Sequence, residues 1–218
     1  MVHLEILVED ASGAVLVEGL LARMFTVDEC SRRIFPYKGI GAIPKRLKPK
    51  ANANARILLD QMPRLLAGYG KSLDRSNDAV VVLVDADDKD CREFLRELKA
   101  LEARCKPAPR VLFRLAIEEA EAWLLSDREA VLKAYPQARR SVLDSYKPDS
   151  VGQTWEQLAE AVHPGGAARL KAAGYRPAGA AKEEWARKIG PHLNIASAKS
   201  PSLRKFVDGV RRLVDSLS

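Results

Sequence analysis

Short unbroken apolar runs alternate along the chain with stretches in which apolar residues recur every three or four positions. Ala79–Val84 (Ala-Val-Val-Val-Leu-Val) has no polar alternation, the pattern of a strand buried on both faces of a parallel sheet. His3–Val8 reads as a first strand, Ser31–Pro36 as a weaker one ending at proline, and Arg110–Leu115 as a fourth. Helical spacing follows each of three strands. Val15, Leu16, Gly19, Leu20 and Ala22 to Met24 come after the first, with Ser12 the expected N-cap. Cys91, Phe94, Leu95, Leu98 and Leu101 come after the buried strand and end near Pro107, and Ala116–Asp127 comes after the last strand. A further helix over 54–67 leads through Gly68-Tyr69-Gly70 to the buried strand. Strands alternating with helices predict a parallel α/β sheet. Beyond Asp127 the pattern is helical and peripheral, with apolar periodicity at Leu158–Val162 and Leu203–Leu213.

Polar residues gather where the strands end. Asp85, Asp87, Asp88 and Asp90 place four carboxylates in six positions directly after Ala79–Val84. Such charges repel unless some are protonated or a cation sits among them. The carboxyl end of a parallel strand is where α/β proteins build ligand sites, and Mg²⁺ suits oxygen ligands. Asp88 or Asp90 also suits the cap of the following helix. Glu9 ends the first strand, so if the two strands are parallel neighbours Glu9 and Asp85 face each other across one sheet edge. At 100° per residue, Glu121 falls among Ile117, Ala120, Leu124 and Leu125 on the apolar face, and Glu119 points elsewhere. A buried carboxylate needs a partner, a proton or a metal, so Glu121 is either a site residue or the partner of an arginine such as Arg114.

Composition sharpens this reading. The 218 residues suit one large domain or a core with an appendage, and 47% hydrophobic with 30% charged is ordinary for a globular protein. No apolar run approaches a membrane span, and three widely spaced cysteines fit neither a disulfide framework nor a Cys-x-x-Cys site, which points to a reducing cytoplasm. The net charge of +7 favours a polyanionic partner. Between Glu29 and Asp60 there are eight Lys/Arg and no acid, and within that span Lys38, Lys45, Arg46, Lys48 and Lys50 are the expected phosphate contacts. Lys182–Lys188 reads as a solvated face in preference to a second phosphate-facing helix. Gly39-Ile-Gly41-Ala-Ile-Pro44 lacks the third glycine of a dinucleotide loop. Gly70-Lys71-Ser72 has Leu65 where a P-loop needs glycine. His3, His163 and His192 have no metal spacing, and no lysine ends the fourth strand as a phosphorelay receiver would require.

With Glu9 after one strand and Asp85-x-Asp87 after another, the chain resembles the Toprim (topoisomerase–primase) fold. It is more closely similar to the Toprim-like family catalogued as domain of unknown function 4276. The similarity rests on Val8-Glu9, Lys38-Gly39, Val84-Asp-Ala-Asp-Asp88, Glu118-Glu-Ala-Glu-Ala-Trp-Leu-Leu-Ser-Asp127 and Lys199-Ser-Pro-Ser-Leu-Arg204. The chain departs from many Toprim domains in the Asp-Ala-Ser-Gly turn after Glu9 and in Asp88-Lys-Asp90, where glycine is usual. The expected fold is an α/β, parallel-sheet Toprim-like (Rossmann-like) core over residues 1–130, with a helical C-terminal extension over 131–218 packed on it. The resemblance implies a Mg²⁺- (or Mn²⁺-) dependent nuclease or phosphotransfer enzyme acting on DNA or RNA. Glu9, Asp85 and Asp87 would hold the metal, and Glu121 would be a fourth carboxylate or a group supporting the ligands from behind. It also implies a setting in bacterial phage defence beside an ATPase partner, with no membrane. The alternative is a non-catalytic nucleic-acid-binding or partner-docking module on a degenerate Toprim scaffold.

Overall fold

The computed structural model describes residues 1–44, 56–150 and 152–218. Four parallel strands form its sheet: β1 (Val2–Val8), β2 (Cys30–Pro36), β3 (Asp78–Asp85) and β4 (Val111–Ala116), in the order β2-β1-β3-β4. β3 is the buried strand of the sequence pattern. Ala79, Val81 and Leu83 enter one apolar cluster and Val80, Val82 and Val84 the other, so both faces are covered. In β1, Leu4, Ile6 and Val8 face the first cluster and Leu7 the second. Val8 pairs with Leu83, and Asp85 pairs with Ala116. All four carboxyl ends therefore lie along one edge.

Helices α2 (Leu58–Ser72) and α3 (Cys91–Arg104) cover one face through Leu58, Leu59, Met62, Leu66, Phe94 and Leu98. α2 continues through Gly68 and Gly70 rather than stopping before them. Gly70 accounts for this, because a Cβ there would lie 2.1 Å from the Pro107 carbonyl oxygen, so the glycine permits a close approach instead of breaking the helix. The other face carries α1 (Ala11–Met24) and every helix after β4 that packs centrally: α4 (Glu121–Leu125), α5 (Arg128–Ala134), α6 (Arg140–Ser145), α7 (Thr154–Val162), α8 (Gly166–Ala173), α9 (Tyr175–Ile189) and α10 (Pro201–Asp215). α9 lies on α1 and α10 on β4. Among the described residues, no helix is long and apolar enough to cross a membrane.

Two conspicuous sequence motifs staple this second layer together. Trp123 is fully buried; its indole N–H donates to Ser202 Oγ at 2.8 Å and its ring lies 5.2 Å from that of Phe206. Ser200 caps α10 by accepting from the Leu203 N–H, and Asp149 accepts from Ser200 Oγ and from the Ser202 N–H. Asp127 caps α5 and also accepts from the Asn194 N–H. The Glu118–Asp127 and Lys199–Arg204 stretches thus meet each other as structure.

Candidate functional site

The parallel pairing of β1 with β3 brings Glu9 and Asp85 together, as the topology requires. The Asp85 N–H lies 3.3 Å from Glu9 Oε2, which accepts from it. The next residue, Asp10, caps α1 by accepting from the Gly13 N–H at 2.7 Å. Ser12, the expected cap, is instead inside the helix. Its Oγ lies 3.0 Å from Asp10 and 3.2 Å from Glu121 Oε1. One hydroxyl proton is thus shared between the two carboxylates.

Glu121 is 2% exposed and sits beside this group. The helix that holds it is shorter than the periodicity suggests. Glu118 adopts φ +59°, so residues 117–120 are not helical and the 100° count fails between Glu119 and Glu121. Glu119 consequently turns inward as well. Lys182 of α9 answers both acids, its Nζ lying 3.2 Å from Glu121 Oε2 and 3.5 Å from Glu119 Oε2. Arg114 is not the partner of Glu121; it donates to the Lys205 and Phe113 carbonyls.

Lys182, Glu119 and Asp10 are site residues that sequence reasoning missed, and Lys182–Lys188 is not a wholly solvated face. Trp185, Ala186 and Ile189 are buried, so Lys182 heads an i, i+3, i+4, i+7 stripe facing the core. That stripe was the available signal.

Electrostatics follow from burial among like charges. Burial pushes Glu9 up from 4.5 to about 7; the Asp85 N–H opposes the rise, and Asp87 and Asp10 add to it. Burial, then Glu9 and Glu121, drive Asp85 well above the usual carboxylate range, against Lys182. Glu119 is likewise raised by burial to about 7, and Glu121 is raised by burial despite Lys182. Burial alone would lower Lys182, but Glu121, Glu119, Asp85 and Asp10 outweigh it and raise its pKa, so the ammonium is fixed in its charged form.

Asp87 lies on the same edge, with φ +47° and its N–H donating to the Glu118 carbonyl. Its carboxylate is exposed and bonded to Lys89 at 3.1 Å, so it acts on Glu9 through space without joining the buried group. Asp90 caps α3, accepting from the Arg92 and Glu93 N–H groups. Lys38 stands at the same edge, because the Gly39 N–H donates to the Glu9 carbonyl at 3.1 Å. Lys45, Arg46, Lys48 and Lys50 lie outside the described residues. Part of the acid-free run in sequence is not acid-free in space, since Arg32 pairs with Glu18 at 2.6 Å and Arg33 lies 3.7 Å from Glu5.

Among the described residues, no three His, Cys, Asp or Glu side chains form a ready group for a metal ion. The donor chemistry nonetheless fits a hard divalent cation: the ligands are all oxygen, and the carboxylates outnumber the single lysine that offsets them. Mg²⁺ commonly takes one or two protein carboxylates and keeps several waters, and Glu9 with Asp85 supplies that number.

These features define a parallel α/β protein with a lysine-bridged carboxylate cluster at the carboxyl edge of its sheet. Its relationship is shown at the level of the whole chain: a family model matches residues 8–211, and the protein belongs to the family described as Domain of unknown function (DUF4276). Comparison with curated proteins and with solved structures gave no match.

Proposed function

We propose that the protein is a Toprim-like, Mg²⁺- or Mn²⁺-dependent enzyme of phosphodiester hydrolysis on DNA or RNA. The observation that carries this is the contact of the Asp85 N–H with the Glu9 carboxylate across adjacent parallel strands, in a group of carboxyls that outnumber Lys182. Glu9 and Asp85 would hold the ion, with Asp87 joining from its exposed position. When bound, a divalent ion polarises phosphate oxygens and acidifies water. The chain's own groups do the rest. Glu9, its pKa raised to about 7 by burial, would give up its proton on taking the ion. Lys182 holds Glu121 and Glu119 in place and lends positive charge where a phosphate would gain negative charge. Lys38, and the basic run that begins there, would track the nucleic-acid backbone.

A non-catalytic nucleic-acid-binding or partner-docking module on the same scaffold has one observation in its favour: Lys182 already supplies a cation to the cluster. Cleavage assays on DNA and RNA with Mg²⁺ or Mn²⁺ separate the two, with any cognate ATPase present. The enzyme predicts metal-dependent cleavage that Asp85→Asn reduces by at least about 100-fold while binding persists. If the wild-type protein cuts neither substrate under those conditions, the binding module is the correct reading.

A further inference from the structure

A cleft of about 520 Å³ lies between α3, β4 and α10, sharing no side chain with the acid cluster. It exists because β4 is an edge strand with α10 laid against it. Leu95, Phe113 and Leu115 give it an apolar wall. Three cations also line it: Arg114 of β4, and Lys205 and Arg212 of α10. Arg114 crosses α10 at Gly209, where a Cβ would lie 2.0 Å from its Nη2, so the sequence leaves room for the guanidinium. The Arg114 Nε and Nη1 groups donate to the Lys205 and Phe113 carbonyls, which fixes the plane of the fork.

Among the described residues, none of these three cations has a carboxylate within 4.0 Å. Burial and then the neighbouring Arg212 lower the pKa of Arg114, the mark of like charges held together. The acid lining the cleft, Asp149, has its oxygens taken by Ser200 and by the Ser202 N–H. Three positive groups less one acid leave an excess of two charges. That excess matches a phosphate monoester, which carries about −1.5 to −2 near neutral pH, whereas a carboxylate would leave one charge unanswered. The volume lies within the roughly 300–1,000 Å³ of small-molecule sites and exceeds what phosphate alone would fill.

We propose that this cleft binds an organophosphate of mononucleotide size, its phosphate on Arg114, Lys205 and Arg212 and its flat body against Leu95, Phe113 and Leu115. The proposal stands whether or not the acid cluster cuts phosphodiesters.

Calorimetric titration of the full chain in chelator, so that nothing is cleaved, provides the test. The probes are adenosine and uridine monophosphates, the matching nucleosides, inorganic phosphate and a short phosphorylated single strand. Saturable binding of the monophosphates or the strand is expected, with nucleosides and inorganic phosphate each at least about tenfold weaker. Arg212→Glu and Lys205→Glu, both at exposed positions, should each weaken binding by about tenfold or more, with circular dichroism confirming an unchanged fold. Tighter binding of the strand that Arg212→Glu and Lys205→Glu weaken would identify the nucleotide as part of a nucleic acid; equal or tighter binding of a monophosphate would identify a free nucleotide. The proposal is overturned if neither saturates, if inorganic phosphate binds as well, or if both charge reversals bind like the wild type.

Discussion

Lys182 reaches from α9 to within 3.2 Å of Glu121 and 3.5 Å of Glu119, in a part of the molecule where several carboxylates are partly or fully buried. Replacing it with methionine leaves those acids without a cation. Breaking a buried pair from one side costs about 3–5 kcal/mol, and the side chain is 16% exposed, so about 3 kcal/mol is expected for Lys182→Met near pH 8. The loss should shrink towards pH 5, because Glu119, raised to about 7, is protonated there and Glu121 is raised in the same direction. Denaturant titrations at the two pH values check this, and an equal loss at both would contradict it. The wild-type cluster has the same sign. Glu9 keeps in the folded state a proton that the unfolded chain releases near 4.5, so its contribution to stability falls as pH rises from about 4.5 to about 7. Glu9 and Asp85 were legible as strand-end acids. Lys182 was not, because its neighbours Glu183, Glu184, Arg187 and Lys188 read as a solvated face, and the packing of α9 on α1 is what turns it inward.

At the scale of elements, β1, β3 and β4 were legible because apolar runs with at most one or two polar residues have few alternatives once helices flank them, whereas β2, with Ser31, Arg32 and Arg33, was legible only from Ile34-Phe35 ahead of its proline. Two helices differ from the sequence pattern because of contacts distant in sequence. The stretch after β4 reads as one helix, but Glu118 at φ +59° stops it, and its carboxylate accepts from the Gln153 and Thr154 N–H groups and from Thr154 Oγ1, fixing the start of α7. A long-range cap of this kind leaves no local pattern. In α2, two glycines read as a breaker although only one has a packing role. A Cβ added at Gly68 would meet nothing within 4 Å, so Gly68→Ala should stabilise the protein by about 0.5–1 kcal/mol. Gly70→Ala would press its Cβ on the Pro107 carbonyl and should cost about 1–3 kcal/mol. Thermal unfolding of the two variants checks both signs; destabilisation by Gly68→Ala would argue against a helix at that position.

Across the whole molecule, the sheet edge gathers what the sequence scatters: Glu9 and Asp10 from the end of β1, Asp85 and Asp87 from β3, Glu119 and Glu121 beyond β4, and Lys182 from α9. A parallel sheet ordered β2-β1-β3-β4 makes β1 and β3 neighbours, and that adjacency is the physical reason the main-chain N–H of Asp85 donates to the carboxylate of Glu9, 76 positions away. The core beneath the edge is shared by the sheet, α1 and the helices after β4, so the cluster is held from both halves of the chain. Clustered carboxylates with raised pKa values should exchange their protons for a divalent ion, and affinity should rise as pH passes 7. Titration of Mn²⁺ into the full chain, followed by the paramagnetic resonance of the free ion, tests that directly. We expect saturable binding at pH 8 that is weaker at pH 6 and at least about tenfold weaker in Asp85→Asn. A free-ion signal identical to that of buffer alone, or unchanged by Asp85→Asn, would contradict a cation site at this edge.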